Sequence, residues 1–427
     1  MKIEPAGAIV GHIAVPGDKS ISHRALLIGA LSEGETRVRG FGRSGDTEST
    51  AGALRALGVR IDDVADDELV VYGVGLRGLR PPPEPIDAGN AGTLLRLLTG
   101  VLAGQPGTFE LTGDDSLLTR PMDRVAEPLS RMGAQITTTD GRAPLTIQGS
   151  DSLRGIDYTL PVASAQVKSA ALLAGLNATG TTTVVEPAPT RDHTELMLEA
   201  AGARVQRRPA SVSVEQASRL ALDEVVVPGD VSAAAPFIVA ATLLAGSELT
   251  VHDLGLNPRR TGLLDVLERM GARLSVFNRR KVAGEWIGDL EVHSAELTGT
   301  EIAPEEVPLL VDELPLFALA AAMARGESRV RGAGELRVKE TDRIETVTDA
   351  LRPLGLRIRA SDDGFTVRGV PSRARGGRMS SGGDHRVAML GAIAGLVSRE
   401  GVEVGDAEAV AISFPGFFDL LNSVSRR

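Results

Sequence analysis

Leu54-Arg55-Ala56-Leu57-Gly58-Val59-Arg60-Ile61 reads as a helix end, a glycine cap and the entry to a strand. Taken alone, the octet is an ordinary helix-to-strand turn. Its pattern, L-x-x-x-G-x-x-[IVL], recurs at Leu129–Ile136, Leu198–Val205, Leu267–Leu274 and Leu351–Ile358. The glycines Gly58, Gly133, Gly202, Gly271 and Gly355 follow one another at intervals of about 70–85 residues, longer than a solenoid repeat. Between the copies lies a second pattern: an Ala/Leu-rich helix with a polar start, a short Gly turn and a β-branched run. The helices are predicted at Ser20–Leu31, Asn90–Gly104, Ser164–Leu176, Asp230–Gly246, Asp312–Gly326 and Asp384–Val397. Strands are predicted after them at Glu35–Gly40, Gly107–Gly113, Gly180–Glu186, Ser247–Asp253, Glu327–Gly332 and Gly401–Gly405. These helices are apolar nearly all round and should be buried, whereas the amphipathic helices that precede the glycines should face solvent. The chain thus reads as an α/β protein of six similar units.

Val-Pro-Gly-Asp occurs at residues 15–18 and again at 227–230, before the first and fourth units. The units fall into two groups of three: a first lobe over residues 17–227, and a second over residues 1–16 and 228–427. The two Pro-Gly turns at the border are candidate hinges.

The 427 residues carry a net charge of −10, no cysteine and only 3% aromatic residues. The absent cysteines exclude disulfides, thiolate metal sites and a Cys nucleophile. The acidity and the shortage of aromatics argue against nucleic acid and anionic membranes as partners. The N-terminal run is neither a signal peptide nor a membrane span, so a cytoplasmic location is expected.

Against that acidic background, cations gather where helices begin. Lys19-Ser20-Ile21-Ser22-His23-Arg24 puts two of them within about a turn of a helix start, although the helix dipole disfavours cations there. One reading is an anion site, most simply for phosphate. The other is that Ser20 or Ser22 is a plain N-cap and both cations point into water. Arg96, Lys168 and Arg386 repeat the feature on the apolar helices. Arg120, Arg191, Arg259, Arg260, Lys339 and Arg343 repeat it on the amphipathic ones. If these helix starts share one cleft, it suits a small polyanion. Gly92, in Asn90-Ala91-Gly92-Thr93, gives an anion access to main-chain N–H groups. No Walker sequence and no dinucleotide fingerprint accompany it, so no nicotinamide cofactor is expected. Asp312 and Glu340 stand among cations, either as charge partners or as proton-transfer groups. No histidine pair has zinc-helix spacing, and no metal is expected. His385, between Asp384 and Arg386, is the histidine placed in the site; His23 and His193 read as local caps or site groups.

The series Pro16–Arg24, Gly89–Thr93, Arg120-Pro121-Met122, Lys339–Arg343, Asp384-His385-Arg386 and Ser413-Phe414-Pro415 resembles, in order and over essentially the whole chain, the motifs of the 5-enolpyruvylshikimate-3-phosphate synthase family. The resemblance implies a two-lobed inside-out α/β barrel, each lobe three βαβαββ repeats with buried parallel helices. It implies transfer of the enolpyruvyl group of phosphoenolpyruvate to the 5-hydroxyl of shikimate 3-phosphate, without a cofactor, in a monomer, and sensitivity to glyphosate at Gly92. Carried over by position, Lys19, Ser20, Arg24, Ser164, Ala165, Gln166, Arg191, Asp312 and Lys339 should bind shikimate 3-phosphate. Lys19, Asn90, Gly92, Arg120, Gln166, Arg343, His385 and Arg386 should bind phosphoenolpyruvate. Asp312 should accept the hydroxyl proton, and Glu340 with Lys19 should serve the C3 proton. The chain departs from the family where many members carry Lys before the C-terminal Phe-Pro, having Ile412-Ser413 instead. Arg191 matches a subgroup in which an arginine helps hold the shikimate phosphate. UDP-N-acetylglucosamine enolpyruvyl transferase, usually marked by a loop Cys and a Lys-Asn pair, and a non-catalytic phosphometabolite sensor are the alternatives on the same scaffold. RNA 3′-terminal phosphate cyclase, a fold relative, is disfavoured by the charge.

Overall fold

Gly58, Gly133, Gly202, Gly271 and Gly355 all have φ between 85° and 104°, a region that strains any residue with a Cβ. Each ends a helix and turns the chain into a strand, as the repeated octet predicts. The structure, a computed structural model, describes every residue except Ala283.

The chain forms two compact units. The first holds Gly17–Val227 with Lys281–Glu285; the second holds Met1–Pro16, Pro228–Arg280 and Trp286–Arg427. The first unit contains three four-stranded sheets of one design. In each, a strand pairs in parallel with the strand that follows a buried helix, and two antiparallel strands complete the sheet. Thus Ile86–Asp87 runs parallel to Thr108–Thr112, which is antiparallel to Arg142–Gln148. Asp157–Thr159 runs parallel to Thr181–Val185, which is antiparallel to Ser211–Glu215. In the remaining sheet the parallel neighbour of Glu33–Arg39 is Glu224–Val226, the unit's last strand, with Val225 beside Val38. The second unit uses the same device: Glu248–Gly255 is joined in parallel by the N-terminal strand Ala8–Ala14, with Val251 beside Ile13.

The apolar helices form the cores. Every residue from Ile21 to Leu31, from Val231 to Thr242 and from Leu314 to Ala322 is buried. No face of these helices is left for solvent, which is why they lack a polar stripe. The Asp123–Arg131 helix instead buries only Val125, Pro128 and Leu129, as an amphipathic surface helix should. His193–Ala200 departs from that expectation, because its first six residues are all buried.

Three further expectations need correction. The first helix starts at Lys19 and is capped by Asp18, whose carboxylate accepts from the Ile21 N–H at 2.9 Å; neither Ser20 nor Ser22 is the cap. Ser164, Asp230 and Asp384 do cap their helices, but the Gly92 and Leu314 helices have no side-chain cap. Asn90 and Asp312 are engaged elsewhere. The sixth repeat is also incomplete. After Val402–Gly405 come a 3-10 turn over Ala407–Ile412, a helix over Phe417–Val424 and the two-residue strand Ser425–Arg426. The place of a following antiparallel strand beside Val402–Gly405 is filled by Lys2–Ile3. Among the described residues no helix is long and apolar enough to cross a membrane.

Candidate active site

In the first unit, the start of the Lys19–Leu31 helix gathers four of the expected residues. Lys19 reaches Asp46 with an Nζ–Oδ2 distance of 2.7 Å, and both groups keep some exposure. Arg24, one turn on, is buried. Its Nε donates to Thr194 Oγ1 at 2.6 Å, Nη1 to the Ser20 carbonyl at 2.9 Å and Nη2 to Ser169 Oγ at 3.0 Å. Burial lowers its pKa to about 10, with Glu195 opposing the shift and Arg191 adding to it. Arg191 itself donates to Ser20 Oγ at 3.4 Å. Two guanidiniums thus lie beside one serine at one helix start, an arrangement that a dianion would relieve.

A second cluster of this unit surrounds Gly92. A Cβ built there would lie 3.1 Å from Arg120 Nη1 and 3.2 Å from Arg96 Nη1. Glycine therefore lets both guanidiniums approach the backbone. Arg120 Nη2 donates to Asn90 Oδ1 at 2.6 Å, and Asn90 Nδ2 to Asp114 at 2.8 Å. Gln166 accepts from Arg96 Nη1 at 2.6 Å and donates to Thr93 Oγ1 at 2.9 Å, which joins the start of its helix to that of the Gly92 helix. Ser164 accepts from the Val167 N–H at 3.4 Å, and Ala165 opens that helix. Arg96 was recognised in the sequence as a helix-start cation but carries no role in the motif series; its place beside Gly92 appears only in three dimensions.

The second unit carries a different arrangement, built on carboxylates. Arg343 is fully buried. Its Nε donates to Asp384 Oδ2 at 2.8 Å, Nη2 to Glu340 Oε2 at 2.5 Å and Nη1 to Asp312 Oδ1 at 3.3 Å. Those carboxylates hold the guanidinium pKa above its ordinary value despite burial. Burial pushes the Asp384 carboxyl up, and the Arg343 charge more than offsets it, so its pKa lies below the ordinary range. Arg386 lies 3.5 Å from Asp312 Oδ2 and donates to Ser232 Oγ at 3.0 Å. Lys339 is half-buried; desolvation lowers its ammonium pKa against the pull of Asp312 and Glu340, with Arg343 reinforcing the fall. His385 is buried at the first position of its helix, next to Asp384. Within this unit Asp312, Glu340, Lys339, Arg343, His385 and Arg386 therefore belong to one neighbourhood.

Not every helix-start cation faces such a place. Lys168 is fully buried between Glu186 at 3.0 Å and Glu195 at 2.7 Å, an internal ion cluster. Arg260 is buried against Asp230 at 3.1 Å and Glu313 at 3.0 Å. His23 is no cap: buried, it bonds Thr50 through Nδ1 at 2.7 Å, and desolvation lowers its pKa to about 3. His193 bonds Glu285 through Nδ1 at 2.6 Å. That Asp46 and Asp384 are charge partners as well as residues of helix starts is not visible in the sequence, because Lys19 lies 27 residues from the first and Arg343 41 residues from the second. Ile412 is exposed at the end of its 3-10 turn and brings no charge to the position of the family's lysine. Among the described residues no cluster of His, Asp and Glu could hold a metal ion.

A family profile described as EPSP synthase (3-phosphoshikimate 1-carboxyvinyltransferase) matches residues 3–421. A protein of Halorhodospira halophila named 3-phosphoshikimate 1-carboxyvinyltransferase is 51% identical over 421 residues, 98% of this chain and 95% of that one. One of the same name from Geobacter metallireducens is 49% identical over 100% of this chain and 99% of its own. The structure of EPSP synthase from Acinetobacter baumannii superposes with a TM-score of 0.88 at 42% identity, over 99% of this chain and 97% of that one. The enolpyruvyl transferase NikO from Streptomyces tendae, 19% identical, shares the fold with a TM-score of 0.80 over 99% of this chain and 96% of its own. With the profile and these relatives spanning nearly its full length, the chain belongs to the EPSP synthase family.

Proposed function

We propose that this protein transfers the enolpyruvyl group of phosphoenolpyruvate to the 5-hydroxyl of shikimate 3-phosphate and releases inorganic phosphate. The observation that carries the proposal is the Arg343 cluster: two carboxylates on sequence-distant segments, Asp312 and Glu340, meet on one buried guanidinium. Addition–elimination needs a proton acceptor and a proton donor next to fixed positive charge, and that cluster supplies all three. Asp312 takes the proton of the 5-hydroxyl as its oxygen bonds to C2 of phosphoenolpyruvate. Glu340 and Lys19 serve the proton that C3 gains. Loss of that C3 proton and of phosphate from the tetrahedral intermediate leaves the enolpyruvyl ether. The substrate anions take over cations now held by internal partners. Arg120, Arg343 and Arg386, with Asn90, Gly92, Gln166, Lys19 and His385, bind phosphoenolpyruvate. Lys19, Ser20, Arg24, Ser164, Ala165, Gln166, Arg191, Asp312 and Lys339 bind shikimate 3-phosphate.

Each unit is proposed to be a lobe of three βαβαββ repeats with parallel buried helices, the inside-out form of an α/β barrel, although the described residues form no closed barrel. The two lobes follow the division at residues 16/17 and 227/228. The protein is proposed to work as a cytoplasmic monomer on small anionic substrates without a cofactor; sedimentation of the purified chain checks the monomer.

The deciding experiment is phosphate release from phosphoenolpyruvate with shikimate 3-phosphate and, in parallel, with UDP-N-acetylglucosamine. Release with shikimate 3-phosphate alone is expected. Release with the UDP-sugar alone, or with neither, overturns the proposal.

A further inference from the structure

Three helices of the first unit meet on the guanidinium of Arg24. Arg24 stands on the Lys19–Leu31 helix, Ser169 on the Ala165–Gly175 helix and Thr194 on the His193–Ala200 helix. Thr194 Oγ1 accepts from Arg24 Nε at 2.6 Å, and Ser169 Oγ accepts from Nη2 at 3.0 Å. The two hydroxyls also bond each other at 2.7 Å. The three side chains therefore close a triangle, although the hydroxyls lie 145 and 170 residues from the arginine along the chain. All three residues are buried. A second tie runs beside the first: Lys168, just before Ser169, pairs with Glu195, just after Thr194, at 2.7 Å. The helix that carries Thr194 reads in the sequence as a surface helix, and the burial of its first six residues is what brings Thr194 and Glu195 to these partners. Buried hydroxyls are costly unless their hydrogen bonds are made, and here they are made to a cation.

A guanidinium is a rigid planar fork with five N–H donors. Among the described residues Arg24 spends three of them: the Nε hydrogen on Thr194, one Nη2 hydrogen on Ser169 and one Nη1 hydrogen on the Ser20 carbonyl. One N–H on each terminal nitrogen is left for an oxyanion. Contacts on both Nε and Nη2 fix the plane of the fork, and with it the direction of the N–H groups that remain. The fixing partners are neutral. Lys168, by contrast, is held by two glutamates that neutralise it. Hydroxyls can orient the Arg24 cation and still leave its charge for a ligand, and the pKa of about 10 is that of a buried guanidinium whose charge is incompletely offset.

We propose that the hydroxyls of Ser169 and Thr194 are a positioning pair, which orients the Arg24 guanidinium for an oxyanion of shikimate 3-phosphate without neutralising it. The inference rests on the proposed function, in which Arg24 contacts that substrate. Neither hydroxyl touches the substrate. Together they hold the fork in its binding orientation before the ligand arrives, so that binding does not have to order it.

The test is a double-mutant cycle, with the Kd for shikimate 3-phosphate read by titration calorimetry and the two KM values by steady-state kinetics. Thr194→Val keeps the shape of the side chain and removes its hydroxyl. It is expected to raise the Kd and KM for shikimate 3-phosphate roughly tenfold, as loss of one charged hydrogen bond would. The KM for phosphoenolpyruvate should change by less than about twofold. Thr194→Ser, which keeps the hydroxyl, should bind within about twofold of the parent protein. In an Arg24→Met background, Thr194→Val should add less than about a further twofold, because the group it positions is gone. A similar loss in both backgrounds, or no loss in the parent background, overturns the proposal, since a hydroxyl that served only the fold would act regardless of Arg24. If Thr194→Val fails to fold, Ser169→Ala, which removes the other acceptor, carries the same comparison. A parent protein that neither binds shikimate 3-phosphate nor releases phosphate with it refutes the proposed function itself. A parent that does both, with variants that bind as it does, refutes the positioning pair alone.

Discussion

At the scale of single residues, Arg343 organises the chemistry. One buried guanidinium contacts three carboxylates that enter from separate segments, so each carboxylate is positioned by a rigid planar fork. Asp312→Asn keeps the shape and a hydrogen-bond acceptor but cannot take a proton. It should lower kcat by about 10²–10⁴-fold with little change in the Kd for either substrate, measured by single-turnover kinetics and fluorescence titration. Normal turnover in that variant would remove Asp312 from the mechanism. Gly92 makes an independent prediction. A methyl group at 3.1 Å from Arg120 and 3.2 Å from Arg96 forces one guanidinium to move by a few tenths of an ångström. Gly92→Ala should therefore raise the KM for phosphoenolpyruvate. The parent enzyme should be inhibited by glyphosate in competition with phosphoenolpyruvate and the variant should resist it. Unchanged inhibition in Gly92→Ala would show that the two arginines do not read that ligand.

At the scale of elements, helix starts divide into those that serve the site and those that serve the fold. Lys168 is the clearest of the second kind, with no side-chain exposure and two glutamates on its ammonium. Lys168→Met removes the cation and leaves Glu186 and Glu195 buried together. It should destabilise the first unit by about 3–5 kcal/mol, read from its thermal or denaturant transition. Asp18 is a milder case. Asp18→Ala removes the cap of the Lys19–Leu31 helix and should cost about 1 kcal/mol, with a rise in the KM for shikimate 3-phosphate because Lys19 and Ser20 sit in that turn. Much of this level was legible in the sequence. The five glycine turns, the Ser164, Asp230 and Asp384 caps and the burial of the apolar helices follow from local stereochemistry and periodicity. The Asp18 cap was misread because Ser20 and Ser22 compete for the role in sequence. Only the backbone geometry shows that Ser22 is spent on the Gly42 N–H at 3.0 Å.

At the scale of the whole molecule, acid stability depends on buried titratable groups in both units. His23 has a pKa of about 3 in the folded protein against an ordinary value of 6.5. Between those two pH values the unfolded chain binds the proton and the folded one does not. Stability should therefore fall as the pH drops from about 6.5 towards 3. His23→Gln, which can still bond Thr50, should flatten that part of the curve, measured as denaturant midpoints at stepped pH. Asp384 acts at lower pH: its depressed pKa gives stability above the ordinary value of 3.8 that is lost only as the pH falls below it.

The sequence alone determined the repeat, the turn at each glycine, the burial of the apolar helices and the choice of residue types for an anionic ligand, because each depends on neighbours within a few residues. It also displayed the motif series by which the family is recognised. Only the tertiary structure decided which carboxylates each cation meets. Lys168 and Arg260 look like Arg24 and Arg386 in sequence, yet their glutamates and aspartates arrive from segments 18 to 53 residues away and neutralise them inside the fold. Likewise Arg343 finds Asp384 across 41 residues, and His193 finds Glu285 across 92. Charge pairing in a protein interior is set by distance in space and by desolvation, and neither is encoded in the spacing of residues along the chain.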